Sequence, residues 1–283
     1  MPETDNTSNI ILVAQDGSLA AQAAASVAIQ IAQSRNLVIR GLYLVDEALV
    51  LDTYADYQTE LGDLEKPTSR DDLVARFRER GETALQLLAA RCQAAGVPVT
   101  TEIEFGSVLE LLLQEAAQVE LLALGRRGHR HAVDPHRLGG HFRAIAHRTQ
   151  RPLLVGGDEQ RPIQRLLLAY DGSETAQRAL GWASLLQQAL SARVIVLAVQ
   201  ASGDAPGQWA LELETQVAQS NLGHYEFLTR MGQPGAEIVA VAAENQVDLI
   251  VMGRYHHIPL LEWLAGSTVD KVLRNTGLPV LVA

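Results

Sequence analysis

The sequence predicts an α/β fold built from one unit used twice, and three observations carry that prediction. Apolar runs of strand length alternate with segments of helical period along the 283 residues, the pattern of parallel sheets with right-handed crossovers. Two of those runs end alike, as Ile10-Ile-Leu-Val-Ala-Gln-Asp-Gly-Ser18 and Leu166-Leu-Leu-Ala-Tyr-Asp-Gly-Ser173. Each is followed by an alanine-rich segment and a second apolar run, with Asp16 and Asp171 standing 155 residues apart. A strand covered on both faces that turns sharply into a helix reads this way. The apolar residues suit the strand, Gly the tight turn, and Ser or Asp the helix cap.

In the first half, Ile10–Ala14 is a strand, and Leu19 to Ser34 has Ala24, Val27, Ala28 and Ile31 at the spacing of an amphipathic helix. Leu37–Val45 is a second strand, and the acidic, aperiodic stretch from Asp46 to Ser69 reads as a surface excursion. Asp71 to Ala95 is a long helix stopped by Gly96-Val97-Pro98. Val99–Phe105 alternates apolar and polar residues, as expected toward a sheet edge. A helix over about Val108–Gln118, the strand Leu121–Leu124, a helix from Gly139-Gly140 to about Gln150 and the strand Arg151–Val155 complete the half.

The polar, glycine-rich segment from Gly156 to Pro162 is the expected linker, dividing the chain into domains 1–157 and 158–283. The second half repeats the order. Strands are expected at Leu166–Tyr170, Arg193–Val199, His224–Arg230, Asp248–Met252 and Leu278–Val282. Helices are expected up to Leu190, over Trp209 to Ser220, over Ala236–Asn245, and from Gly266-Ser267 to about Asn275. Val45 to Gly125 is 80 residues, whereas Val199 to Gly253 is 54, so the halves are not interchangeable.

Composition narrows the function. Hydrophobic residues at 47% and charged residues at 20% describe an ordinary soluble globular protein. Residues 1–157 hold 15 basic and 20 acidic residues and residues 158–283 hold 8 and 13, so each half carries −5. An acidic chain is poorly suited to wrapping nucleic acid or binding an anionic membrane. No signal-peptide pattern and no apolar run of bilayer length is present, and a cytoplasmic location is expected. The single cysteine, Cys92, follows Leu73, Phe77, Leu85 and Leu88 at helical spacing and is expected in the core.

In an open parallel sheet, ligands bind beyond the carboxyl ends of the strands, where strand order reverses. In each half that edge collects the Asp-Gly-Ser turn, the end of the second strand and the glycines after the fourth. Gly253 and Gly266-Ser267 would bring backbone N–H groups and a hydroxyl to a helix N-terminus, which suits phosphate, and Asp171 could accept from a ribose or base. The plain alternative is that these glycines serve only tight turns. Residues 126–151 hold seven arginines, one aspartate and the histidines 129, 131, 136, 141 and 147. A solvated basic loop over an anion-binding edge is favoured there over a zinc site, because no acidic or cysteine ligand accompanies a recognised metal spacing. No nucleophile–base–orienter set is visible, since Ser18 and Ser173 follow Asp-Gly where capping is the ordinary task. A dedicated enzyme is therefore not expected, at most a weak ATPase.

These residues resemble the universal stress protein family in both halves. The resemblance rests on the strand ending in Asp-Gly-Ser, on Met252-Gly-Arg254, on Gly266-Ser-Thr-Val269, and on the endings Gln150-Arg-Pro-Leu-Leu-Val155 and Gly277-Leu-Pro-Val-Leu-Val282. It implies two Rossmann-like (adenine nucleotide alpha-hydrolase-like) domains, each a five-stranded parallel sheet of order 3-2-1-4-5. The halves would pack about a pseudo-twofold axis through the strands Arg151–Val155 and Leu278–Val282, an intramolecular pseudo-dimer with further homodimerisation left open.

The family's ATP-binding members carry Gly-x2-Gly-x9-Gly-Ser/Thr after the fourth strand, and neither half keeps it intact. In the second half Gly253, Gly266 and Ser267 fall at the family's spacing, but His256 replaces the second glycine. In the first half Gly125 and Gly128 are present, ten residues rather than nine separate Gly128 from Gly139, and Gly140 takes the hydroxyl position. The implied ligand is ATP or another adenine nucleotide, held in at least one half. The implied second-half contacts are Ala169, Tyr170, Asp171, Val199, Met252, Gly253, Arg254, His256, Gly266, Ser267 and Thr268. Those of the first half are Gln15, Asp16, Val45, Gly125, Gly128, Gly139 and Gly140. The second half is preferred for its hydroxyl and spacing, and the role implied is stress-response or regulatory. A ligand-free module that recruits a protein partner is the alternative, with metal binding through the histidine loop behind it.

Overall fold

The computed structural model describes residues 9–46, 50, 69–126, 140–200, 207–254 and 267–283. Their apolar runs form ten strands of a single sheet. In the first half these are β1 (Ile10–Gln15), β2 (Val38–Asp46), β3 (Val99–Gly106), β4 (Leu121–Leu124) and β5 (Leu153–Val155). In the second they are β6 (Arg165–Ala169), β7 (Arg193–Gln200), β8 (Tyr225–Met231), β9 (Leu249–Met252) and β10 (Val280–Val282). The sheet order is β3-β2-β1-β4-β5-β10-β9-β6-β7-β8, so each half has the expected parallel order 3-2-1-4-5.

The halves meet more intimately than by docking. β5 and β10 pair antiparallel, Val155 opposite Val280 and Leu153 opposite Val282, and make the two sheets one. All six residues of this seam are at most 2% exposed. Each such side chain contributes about 1.5–3 kcal/mol by leaving water. Because the central pair is antiparallel, the carboxyl ends of the first-half strands and those of the second-half strands lie on opposite edges of the sheet.

Helices cover both faces, as a parallel sheet requires. One face carries α1 (Leu19–Arg35), α2 (Arg70–Ala94), α5 (Glu174–Leu190) and α6 (Gln208–Ala218), whose Ala24, Leu85, Ala179 and Leu213 pack with Ile11, Val13, Leu166 and Leu168. The other carries α3 (Val108–Ala116), α4 (Gly140–Arg148), α7 (Pro234–Glu244) and α8 (Thr268–Asn275), whose Leu112, Ile145, Val241 and Val269 pack with Leu12 and Leu167.

Helix α1 departs from expectation. Its buried residues, among them Ala21, Ala23, Ala24, Ala25, Ala28 and Ile29, spread well beyond one stripe and leave a polar strip along Gln22, Ser26, Gln30 and Gln33. The reason is the second half. Ser26 donates to Gln160 at 3.1 Å and Gln30 accepts from the Ile163 N–H at 3.4 Å, so α1 is covered from outside the sheet as well as by it. A helix enclosed this way keeps only a narrow polar strip, here the one that hydrogen-bonds the second half, and alanine allows the close approach.

The expected linker is likewise a packed connector. A Cβ on Gly156 would meet the Ala20 carbonyl oxygen at 1.8 Å, and the Asp158 N–H donates to the Gly277 carbonyl at 2.8 Å. Gly156 and Gly157 answer close packing, while Asp158 to Pro162 are exposed. Strand β3 lies at the sheet edge, as its alternation predicts, and Cys92 is fully buried in α2. The acidic excursion, apart from its ends and Val50, falls outside the described residues, as do His129, His131 and His136 of the basic loop.

Candidate functional site

The two Asp-Gly-Ser turns have the same construction. The Asp16 Oδ1 accepts the Ser18 N–H at 2.9 Å and the Asp171 Oδ1 accepts the Ser173 N–H at 3.0 Å. Gly17 and Gly172 take φ of +81° and +78°, the left-handed region that favours glycine. Ser18 and Ser173 are helix N-caps, their Oγ atoms accepting from Ala21 N at 3.1 Å and Ala176 N at 3.2 Å. One oxygen of each aspartate therefore holds the turn, and Oδ2 is the atom each can turn to a ligand.

The residues just before the aspartates point inward. The Gln15 side chain is buried and its Nε2 donates to the Ala21 carbonyl at 3.2 Å. Tyr170 is 2% exposed, and its hydroxyl donates to Gln216 of α6 at 2.9 Å while its N–H donates to Leu197. Burial, and then the charge of Asp171, push the Tyr170 phenol above its ordinary range. Tyr170, expected at a ligand, keeps only its backbone carbonyl for that purpose, and Gln15 reaches the edge through its backbone alone.

Strand register places Val45 and Val199, the two residues expected to line a base, at positions one residue out of step. Ala14 lies opposite Leu42 and Ala169 opposite Leu197, so Val199 corresponds to Leu44 and Val45 to Gln200. Side chains alternate faces along a strand, and the two valines look opposite ways. Val45 is buried toward α1 and α2, while Val199 packs toward the α7 and α8 face. One residue on, Gln200 ends β7 with its Oε1 buried and, among the described residues, without a hydrogen-bond partner.

Gly125 and Gly253, placed directly after β4 and β9, have a structural reason to be glycine. A Cβ on Gly253 would stand 2.7 Å from Thr175 Oγ1, 2.8 Å from the Thr175 carbonyl carbon and 2.9 Å from Ala176 N. On Gly125 it would stand 3.1 Å from Ala21 N and 3.3 Å from Ser18 Oγ. The strand end thus abuts the first turn of α5 or α1, close to the Asp-Gly-Ser caps. Ala169 and Met252 sit beside each other in register at that edge.

The arginines that follow do something the sequence did not disclose. Arg126 is 1% exposed and reaches across the seam, donating from Nη1 to the carbonyl oxygens of Thr276 and Leu273 and from Nη2 to that of Leu278 at 2.6 Å. Its Nε donates to the Gly156 carbonyl at 3.0 Å. Arg254 mirrors it, donating to the carbonyls of Thr149 and, at 2.6 Å, Arg151. Its backbone N–H is taken by Ala283. Arg254, expected at the nucleotide, therefore directs its guanidinium into the first half.

The receiving loops match as well. Thr149 Oγ1 accepts from Arg151 N, and Thr276 Oγ1 from Leu278 N, which folds each loop so that two carbonyls face the incoming guanidinium. The sequence signal for this exchange is a pair of repeats: Gly-Arg after the fourth strand and Thr-x-x-Pro before the fifth, as Thr149 to Pro152 and Thr276 to Pro279.

Ser267 is the N-cap of α8, its Oγ accepting from Asp270 N at 3.1 Å, and Thr268 is the first helical residue. Its hydroxyl hydrogen stays available to a phosphate oxygen. Asp270 puts a carboxylate in that first turn, whereas the first turn of α4, opening at Gly140, has no acidic residue. Gly128, Gly139, His256 and Gly266 lie outside the described residues.

A tandem α/β protein with a candidate ligand edge in each half is the class these features define. The sequence matches the universal stress protein family over residues 7–155 and again over residues 162–283, and the chain belongs to that family. It is 25% identical to the universal stress protein Slr1230 of Synechocystis sp. across 96% of this chain and 98% of that one. Among solved structures, a universal stress protein from Archaeoglobus fulgidus superposes with a TM-score of 0.73 at 18% identity, covering 98% of this chain and 96% of its own. A putative universal stress protein from Pseudomonas aeruginosa gives 0.66 at 16% identity, covering 97% and 92%. These similarities show the fold over the full tandem length. No helix among the described residues is long and apolar enough to cross a membrane.

Proposed function

We propose that the protein is a regulatory, stress-response member of its family that holds an adenine nucleotide at the carboxyl edge of its sheet in at least one half. One observation carries the reading. At the second-half edge, an aspartate with one oxygen fixed by its turn (Asp171), a glycine against which backbone packs closely (Gly253) and a Ser-capped helix N-terminus (Ser267) come from the positions the family's ATP-binding members use. A helix N-terminus and a hydroxyl suit phosphate, and an aspartate suits a ribose hydroxyl or base N–H.

The second half is the first to test because it keeps Ser267, although Asp270 opposes the phosphates there by like charge. The first half lacks the hydroxyl but has no acid in the corresponding turn. The experiment is nucleotide release: the purified protein is denatured and the supernatant resolved by anion exchange, beside a titration of the emptied protein with ATP. Bound adenine nucleotide, or saturable uptake lost in Ser267→Ala or Asp171→Ala, supports the reading. A protein that neither carries nor takes up nucleotide overturns it and leaves the partner-recruiting module as the function to pursue.

A further inference from the structure

The two ligand edges are on opposite sides of one sheet, yet two helices run from one to the other. Helix α8 begins at Ser267 on the second-half edge, and its carboxyl end, with the loop Thr276–Leu278, lies at the first-half edge where Arg126 receives it. Helix α4 begins at Gly140, and its carboxyl end, with Thr149–Arg151, is received by Arg254 on the second-half edge. Eight residues of α8 span about 12 Å, a rigid rod on this scale.

Each arginine immediately follows its own half's edge glycine, Gly125 or Gly253. We propose that the anion-binding helix of each half is positioned in trans: Arg126 sets α8 for the second site, and Arg254 sets α4 for the first. The inference rests on the nucleotide reading for its ligand, and on the observed hydrogen bonds for its geometry.

The chemistry favours such a role. A guanidinium offers five N–H donors in a fixed plane, and Arg126 places them on three carbonyls at and just beyond the α8 carboxyl end, where positive charge is also favoured by the helix dipole, and on the Gly156 carbonyl of its own half. A lysine keeps the charge but not the fork, so the helix end loses its fixed register while the charge stays. The amino end, one rod length away, then moves relative to the strand glycine with which it would hold phosphate. In both halves the arginine and the helix it holds belong to different domains, so a defect appears in the half that does not carry the substitution.

The test uses the full chain with Arg126→Lys and Arg254→Lys. A photoreactive azido-ATP is crosslinked and its site mapped to each half by peptide mass spectrometry. Hydrogen exchange is measured in parallel without nucleotide on amides 270–273 of α8 and 144–147 of α4. Arg126→Lys is expected to weaken labelling of second-half peptides roughly tenfold with first-half labelling unchanged, and Arg254→Lys the reverse. Exchange is expected to rise roughly tenfold in α8 for the first variant and in α4 for the second. Loss in the half that carries the substitution, equal loss in both, or no change in either overturns the proposal. A wild type that takes no label sinks the nucleotide reading alone, and the exchange measurement then decides the positioning. Should Arg126→Lys fail to fold, Arg254→Lys, whose guanidinium is less enclosed, carries the test.

Discussion

Substitution of Gly253 by alanine separates the two reasons that a glycine can follow the fourth strand. The added methyl carbon would lie 2.7–2.9 Å from Thr175 Oγ1, the Thr175 carbonyl carbon and Ala176 N. Two of those atoms are backbone in the first turn of α5, so they yield only if the helix moves. Such overpacking costs about 1–3 kcal/mol. Gly253 is not among the glycines of positive φ, so alanine fits its backbone and recovers about 0.4–1 kcal/mol by restricting the unfolded chain. The net expectation is a loss of about 1–2 kcal/mol. At Gly125 the corresponding contacts are 3.1–3.5 Å, close to tolerable, and the two effects nearly cancel. Urea unfolding of nucleotide-free protein, followed by far-ultraviolet circular dichroism and tryptophan fluorescence, measures both variants. All three tryptophans (182, 209 and 263) lie in the second half, so fluorescence watches the half in which Gly253 sits. A Gly253→Ala protein as stable as wild type but unable to take nucleotide would refute the packing argument, and equal destabilisation by Gly125→Ala would show that these distances do not decide the cost.

Three further outcomes follow from the same geometry. Asp270→Asn removes a like charge from the first turn of α8 and is expected to tighten nucleotide binding about three- to fivefold, read by calorimetric titration, with a small loss of thermal stability as the helix dipole loses its partner. Cys92 is fully buried and its thiol is pushed up to about 11 by that burial, so a thiol-specific disulfide reagent at pH 8 should react with it only after denaturation. Burial, then the charges of Glu102 and Glu115, raise the Glu104 carboxyl above its usual range despite Arg40. The folded state thus binds that proton more tightly than the unfolded state does. Stability attached to it is present at low pH and lost as pH rises through the raised value. Glu104→Gln should accordingly be more stable than wild type at neutral pH, with the difference shrinking on acidification toward pH 4 in a series of denaturation midpoints.

The fold was legible because its signals are local. Leu166–Leu168 and Leu249–Met252 are buried on both faces, and continuous apolar runs report that state directly. The alternation in Val99–Phe105 likewise reported an edge. What escaped were consequences of the other half. Helix α1 looked one-faced because nothing near Gln22 or Ser26 in sequence says that Gln160 will cover them. Val45 and Val199 look equivalent because both close the second apolar run of their half, and only register reveals the one-residue offset. At the site, the Asp-Gly-Ser turns were readable because a turn, a left-handed glycine and a cap are decided within four residues. The direction of Tyr170, and of both arginines, depends on packing partners tens to more than a hundred residues away.

The repeat itself shows which features the fold demands and which the ligand does. In a symmetric dimer one substitution alters both sites at once, whereas a tandem chain lets each copy change alone. Present in both copies here are the capped turn, the glycine packed on the following helix, the arginine that crosses the seam, and the threonine and proline of the loop receiving it. Different between them are the segments that would touch phosphate: Gly140 against Ser267 at the helix start, and no acid against Asp270 in its first turn. Among the features present twice, the arginines and the loops that receive them hold the two halves together and set the helix ends. The unequal helix starts lie where a ligand would sit. The duplicated frame therefore constrains where both sites are, and the unequal helix starts set how tightly each would hold an anion.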